Sequence, residues 1–260
     1  SSYFVSEWSN PYLSFEAGFD GDFVLDAWDH FYHRMVRSNE NTRGVSAFNG
    51  NNDMEFIIHD MKWRFSEAKK HNAYLALISG NHDSPRLANS VDDDKAKMYY
   101  LFQFTMPGTP FVYYGDELMM KTSDIPSKDG GFQRTRTRTP MIWNDELPYH
   151  GFSKTKGEIY LPFYDENKVS AEDAIKDKNS VYNFLKKLTQ IRKQYAELQS
   201  LDVDISEKDR VITLDRGNGL KVIMNLTSNP YTIKGEVIIS SKEMMEDQLP
   251  PFSAVLIKTT

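Results

Sequence analysis

The 260 residues predict an α/β protein of parallel βα units followed by a small antiparallel β segment. Three observations lead there. β-prone runs alternate with segments of helical period up to about residue 198. Past Leu201 the runs become short and alternating, separated by GNG, SNP and PP turn signals. A composition of 40% hydrophobic and 26% charged residues is ordinary for a chain that folds around a core.

The elements follow in order. YFVSEW is a first strand, and GFDGDFVLDAW a second whose start is punctuated by glycine and aspartate. Trp28 to Val36 reads as helix, and the Asn-rich loop RSNENTRGVSAFNGNN is long enough to carry function. A second helix runs from Met54 to His71, with Phe56, Ile57, Met61, Phe65 and Ala68 spaced by three and four. AYLALIS is the third strand. The aspartates at 92 to 94 open a helix whose Met98, Leu101, Phe102 and Thr105 line one face and which stops before Pro107 and Gly108. PFVYYG is the fourth strand. A long irregular segment, Lys121 to Lys168, precedes a helix over 180–198 whose stripe of Val181, Phe184, Leu185, Leu188 and Ile191 is a packing face. VITL, LKVIMNL, YTIK, EVIIS and AVLIKT then form the antiparallel domain, so we place the division at 1–198 and 199–260.

A net charge of −6 gives no electrostatic footing for a phosphate backbone, and nucleic acid is not an expected partner. The absence of cysteine excludes disulfides and thiolate metal sites and leaves the compartment open. No apolar run approaches eighteen residues, so no membrane span is expected, and SSYFVSEW lacks the zones of a secretory signal. HExxH, EF-hand, Walker and dinucleotide patterns are all missing, and neither metal nor cofactor is expected.

Chemistry concentrates where LALISGNHDSPRL passes from aliphatic to polar. A lone histidine is usually a hydrogen-bonded structural one, and Asp83 could simply cap a turn. At the carboxyl end of a parallel strand, however, Asn81, His82 and Asp83 fall on the face where barrel enzymes work. Glu7 follows the first strand in the same way, and the neighbouring Trp8 could keep its carboxyl protonated, as a general acid must be. Two carboxyls at neighbouring strand ends suit glycoside chemistry. Metal binding is the rival, discounted because adjacent residues of an extended segment point to opposite sides.

GNHDSPRL, TMPGTPFVYYGDEL (105–118) and RTRTRTPMIWND (134–145) resemble three successive motifs of the α-amylase family in order and spacing, and FVSEW resembles its fifth-strand motif. The resemblance covers residues 3 to about 198, and the last sixty resemble the family's C-terminal β domain. It implies the C-terminal half of a (β/α)8 TIM barrel followed by an antiparallel β-sandwich, acting on α-linked gluco-oligosaccharide or glucan with retention. Glu7 is then the acid/base, Asp83 the carboxylate that grips sugar hydroxyls and stabilises the transition state, and His82 its partner. Asn81 organises the turn, while Arg86, Arg138 and Trp8 contact sugar. Tyr113 and Tyr114 fill space, and Asp116 and Glu117 hold loops. RTPMIW and YYGDEL lean towards oligo-α-glucosidases or trehalose-forming relatives.

One departure matters. The family's nucleophilic Asp lies in a GxRxD motif, and none occurs here. A retaining mechanism needs that residue opposite the acid. The chain is therefore expected to be a fragment nearly inactive by itself, pairing with itself or with a missing N-terminal half. The rival readings are an α-glucosyl transferase of the same family and a non-catalytic glucan- or partner-binding module.

Overall fold

The computed structural model describes residues 2–37, 46–50, 53–126, 135–154 and 157–259. Most of the Asn-rich loop expected to carry function lies outside them.

Four strands, β1 (Val5–Ser6), β2 (Gly21–Val24), β3 (Tyr74–Ile78) and β4 (Thr109–Phe111), pair in parallel in that order. β3 lies between two partners and is buried from Leu75 to Ile78, which is why it reads as an unbroken aliphatic run without alternation. The chain reaches β4 past Gly108, whose φ of +133° and position against β3 exclude a side chain: a Cβ there would lie 2.4 Å from the Leu75 carbonyl oxygen.

Helix α1 (Pro11–Glu16) connects β1 to β2 and was absent from the sequence reading. Its signals were present: the Asn10 side chain accepts from Leu13 N, and Pro11 occupies the first helical position. Helix α2 (Phe31–Val36) starts three residues later than expected. Helix α3 (Met54–Lys70) is capped by Asp53 and buries Ile57, Met61, Phe65 and Ala68 as predicted, while Phe56 of the same stripe is only half-buried. Its face also buries Asp60 and Arg64, which pair at 3.0 Å. Helix α4 (Asp93–Thr105) is capped by Asp92 and buried without a break from Met98 to Thr105, not along a single face. It has cover on more than one side: α6 and strands of the antiparallel sheet both pack on it.

Helix α5 (Ala171–Lys176) is a short addition between the segment read as irregular, Lys121 to Lys168, and the helix expected over 180–198. Helix α6 (Val181–Gln194) is capped by Ser180 and buries Val181, Phe184, Leu185 and Leu188. It ends four residues early, giving way to a 3-10 turn, Ala196–Gln199. Arg192 of α6 donates Nη1 to the carbonyls of Phe104 (2.7 Å) and Met106 (3.2 Å) and Nη2 to that of Gly108 (2.6 Å), tying off the end of α4 and the approach to β4.

The antiparallel part comprises β5 (Asp204–Lys208), β6 (Val211–Asp215), β7 (Leu220–Asn225), β8 (Tyr231–Thr232), β9 (Glu236–Ser240), β10 (Gln248–Leu249) and β11 (Ser253–Lys258). Five of these form one sheet in the order β5-β6-β7-β11-β9, and β8 pairs with β10 alone. The sandwich expected from the sequence is thus lopsided, a five-stranded sheet facing a two-stranded ribbon. One face, with Ile212, Leu214, Val222, Met224 and Leu256, joins the core that contains α4 and β3. The other buries Val211, Ile223, Val255 and Ile257 against Ile233 and Leu249. β5, DISEK, escaped the sequence reading because only Ile205 of its five residues is apolar and buried. No helix among the described residues is long and apolar enough to cross a membrane.

Candidate active site

The carboxyl ends of all four parallel strands meet at one depression of about 280 Å³. Glu7 after β1, Leu25 after β2, His82 after β3 and Tyr113 after β4 all line it.

The loop after β3 is anchored before it turns polar. Tyr99 Oη donates to the Ile78 carbonyl, Tyr32 Oη to that of Ser79, and Gln103 Nε2 to that of Leu77 at 2.6 Å. Three buried side chains from α2 and α4 thus satisfy the last carbonyls of the strand. Ser79, itself fully buried, donates its hydroxyl to Asp116 Oδ2 at 2.7 Å and accepts from Tyr113 N at 3.0 Å. Gly80 passes so close to Asp116 that a Cβ would lie 2.9 Å from Oδ2.

Asn81 then turns the chain, its Oδ1 accepting from Asp83 N (2.9 Å) and Ser84 N (2.7 Å). This bend overturns the premise used against metal binding. His82 and Asp83 do not point to opposite sides, because His82 Nε2 lies 3.3 Å from Asp83 Oδ2. The described residues nevertheless hold no group of three or more His, Asp or Glu placed to bind a metal ion. Asp83 Oδ1 accepts from Arg138 Nη2 at 3.1 Å, and the Asp83 side chain stays 38% exposed between its two partners. A carboxylate held from both sides and still open to solvent can receive hydroxyl donors or face a cationic centre.

Two expectations need correction. Arg86 does not line a sugar pocket: its side chain is fully buried, donating to the carbonyls of Tyr114 (2.6 Å) and Thr137 (2.9 Å). Its guanidinium lies 5.1 Å from the Tyr113 ring centroid and 4.9 Å from that of Tyr114, so it clamps the loops after β3 and β4 to segment 135–139. Glu7 and Trp8 are both exposed, Trp8 by 55%, so the indole does not enclose the Glu7 carboxyl. Tyr113 and Tyr114 were expected to fill space, but Tyr113 is half-buried and Tyr114 exposed; their rings lie 4.8 Å apart and their hydroxyls donate to Thr137 O (3.2 Å) and Thr139 O (2.9 Å). Burial and the neighbouring Tyr114 push the Tyr113 phenol up to about 12.

The sequence reading missed Asp26, at the end of β2. It accepts from Arg37 Nε and pairs with His33 Nδ1, each at 2.7 Å. Burial acts to raise this carboxyl, but Arg37 and His33 outweigh it and hold it below its ordinary 3.8. The signal was available, since Asp26 comes after Phe23, Val24 and Leu25 much as Glu7 comes after Tyr3, Phe4 and Val5.

Fold and site together define an α/β protein that gathers its polar groups at the carboxyl ends of parallel strands. The chain belongs to the alpha-amylase family, whose catalytic domain matches residues 25–200. That span contains His82, Asp83, Arg86 and Arg138 but not Glu7. Among curated proteins it is 28% identical over 240 residues to the trehalose-6-phosphate hydrolase of Bacillus subtilis, covering 71% of this chain and 42% of that protein. It is 29% identical over 175 residues to the 4-alpha-glucanotransferase of Thermotoga neapolitana, covering 62% of this chain and 37% of the relative. Among solved structures, the alpha-amylase from H. orenii superposes with a TM-score of 0.72 at 21% identity, over 99% of this chain and 53% of the other. Trehalose-6-phosphate hydrolase from Bacillus licheniformis gives 0.72 at 20% identity, over 98% and 55%. The chain therefore spans about two fifths of these curated relatives and about half of these solved chains.

Proposed function

We propose that this chain carries the acid/base side of a retaining α-glucan or oligosaccharide glycosidase, as the C-terminal half of a (β/α)8 barrel (1–198) with a β domain (199–260). The observation that carries this reading is Asp83, held between His82 and Arg138 yet still 38% exposed, on the strand-end face that Glu7 shares. Glu7 protonates the leaving glycosidic oxygen and later takes a proton from water. Asp83 stabilises the oxocarbenium-like centre. The nucleophile comes from outside these 260 residues, which alone turn over poorly. The substrate is an α-linked gluco-oligosaccharide.

The test is hydrolysis of an aryl α-glucoside by the full-length protein. Glu7→Gln is expected to slow it by roughly 10²–10⁴-fold, and Asp83→Asn to slow it comparably. An uncleaved glucoside, with Glu7→Gln changing nothing, ends the enzyme reading in favour of a glucan-binding module. The likeness to a 4-alpha-glucanotransferase supports a second reading, glucosyl transfer, in which maltotriose yields longer chains more than glucose.

A further inference from the structure

Glu7 lines the depression with no hydrogen-bond or ion-pair partner for its carboxyl among the described residues, so the backbone on either side sets where that carboxyl stands. Both flanks are fastened to one atom. Ser6 Oγ, on the residue before, donates to Asp22 Oδ1, and Ser9 N, two residues after, donates to the same oxygen at 3.1 Å. Asp22 lies on β2 and is fully buried. It closes residues 6–9 into a loop with buried ends, Ser6 and Ser9, and two exposed members, Glu7 and Trp8.

The far end of that loop is over-determined. Ser9 has a φ of +57°, in the left-handed region that is uncommon for a residue with a side chain. Four contacts hold it there. Its N–H meets Asp22, its carbonyl accepts from Arg64 Nη1 at 3.0 Å, and its Oγ accepts from Leu25 N at 3.0 Å and lies 3.2 Å from His30 Nδ1. Arg64 is fixed in turn by Asp60, whose Oδ2 also accepts from Phe31 N at the start of α2. Backbone strain persists only where the surroundings enforce it, and it gathers where geometry serves a site. A second cost sits at Asp22 itself. Its Oδ2 is buried without a hydrogen-bond partner, so one oxygen goes unsatisfied while the other holds the loop.

We propose that Asp22 is a positioning residue for Glu7: gripping Ser6 and Ser9 with one oxygen, it fixes where the Glu7 carboxyl stands in the depression. The inference rests on the proposed role of Glu7 as the acid. A general acid works within hydrogen-bond reach of the oxygen it protonates, and a displacement of about 1 Å can cost on the order of 10²-fold in rate.

The test is kcat/KM of the full-length protein on two substrates: phenyl α-glucoside, whose leaving oxygen needs a proton, and α-glucosyl fluoride, whose fluoride leaves with little help. Asp22→Ala should lower the value for the phenyl glucoside by roughly 10²-fold and Ser6→Ala by roughly tenfold, while the fluoride changes less than about threefold with either. Asp22→Asn, which keeps the accepting oxygen, should bring the phenyl glucoside back to within about threefold of the parent. A residue that only supports the fold would lower both substrates alike. Equal losses on both substrates, or no loss from Asp22→Ala and Ser6→Ala, overturn the proposal; if Asp22→Ala does not fold, Ser6→Ala decides it. Failure of the catalytic reading looks different: Glu7→Gln itself then lowers both substrates equally, or neither.

Discussion

Arg86 and Asp116 face each other with Nη1 3.4 Å from Oδ1, both side chains fully buried. The contact is long, and burial raises the Asp116 carboxyl even though Arg86 and the Ser79 hydroxyl face it. The pair is therefore weak as an ion pair and strong as a clamp, because Arg86 also holds the Tyr114 and Thr137 carbonyls. Arg86→Lys cannot reach all three acceptors and should cost about 3 kcal/mol, read from urea midpoints. Asp116→Asn keeps the shape and an acceptor oxygen for the Ser79 hydroxyl but removes the charge that faces Arg86, and should cost about 1–2 kcal/mol. Equal midpoints for Arg86→Lys and the parent would sink this account.

Gly108 sets the approach to β4. Gly108→Ala combines a left-handed φ with a 2.4 Å approach to the Leu75 carbonyl oxygen, and neither backbone can yield. We expect a loss of roughly 3 kcal/mol or more. Gly217→Ala is the control: its φ is +86° and nothing lies within 4 Å of the added carbon, so strain alone should remain, about 1 kcal/mol. Thermal unfolding of the two variants checks the difference, and similar melting temperatures refute the steric argument.

Legibility in the sequence followed the kind of force at each element. β3 and α6 were readable because each buries a contiguous run or a clean stripe. α1 and α5 were missed because each is six residues long, below the length at which periodicity shows, and only their caps announce them. At the strand ends, His82, Asp83 and Glu7 were singled out by their position after strands. The burial of Arg86 was not, since nothing local distinguishes a guanidinium that meets a sugar from one that meets carbonyls brought in from residues 114 and 137. The bend that turns His82 towards Asp83 depends on Asn81 accepting two backbone N–H groups, a conformation the residue type permits but does not demand.

Acid should loosen the end of β2. The Asp26 carboxyl is held below its ordinary 3.8 in the folded chain, burial opposing and Arg37 with His33 prevailing. A depressed folded value means the stabilisation is fully present above pH 3.8 and is lost as the pH falls through that lower folded value. Arg37→Gln removes the counter-charge from a buried carboxylate, so it should destabilise by about 3–5 kcal/mol near neutrality. It should also move the acid-unfolding midpoint to higher pH. An unchanged midpoint in a pH titration followed by circular dichroism would show that the pair does not govern acid stability.

The edges of the parallel sheet carry exposed apolar surface. Tyr3 and Phe4 precede β1 and are 52% and 61% exposed, Trp8 follows it at 55%, and at β4 Phe111 and Val112 are 36% and 38% exposed. Parallel sheets are ordinarily covered on both faces, and an open edge offers unpaired backbone donors and acceptors to another chain. The 260-residue chain should therefore associate with itself at micromolar concentration, giving a mass above that of the monomer in light scattering. Phe4→Ser together with Phe111→Ser should lower that mass. If the chain is half of a barrel, as proposed, the alternative partner is the segment that would supply the nucleophile, and its addition should replace self-association with a one-to-one complex. A well-folded monomer at micromolar concentration refutes self-association, and failure of the added segment to bind refutes the pairing.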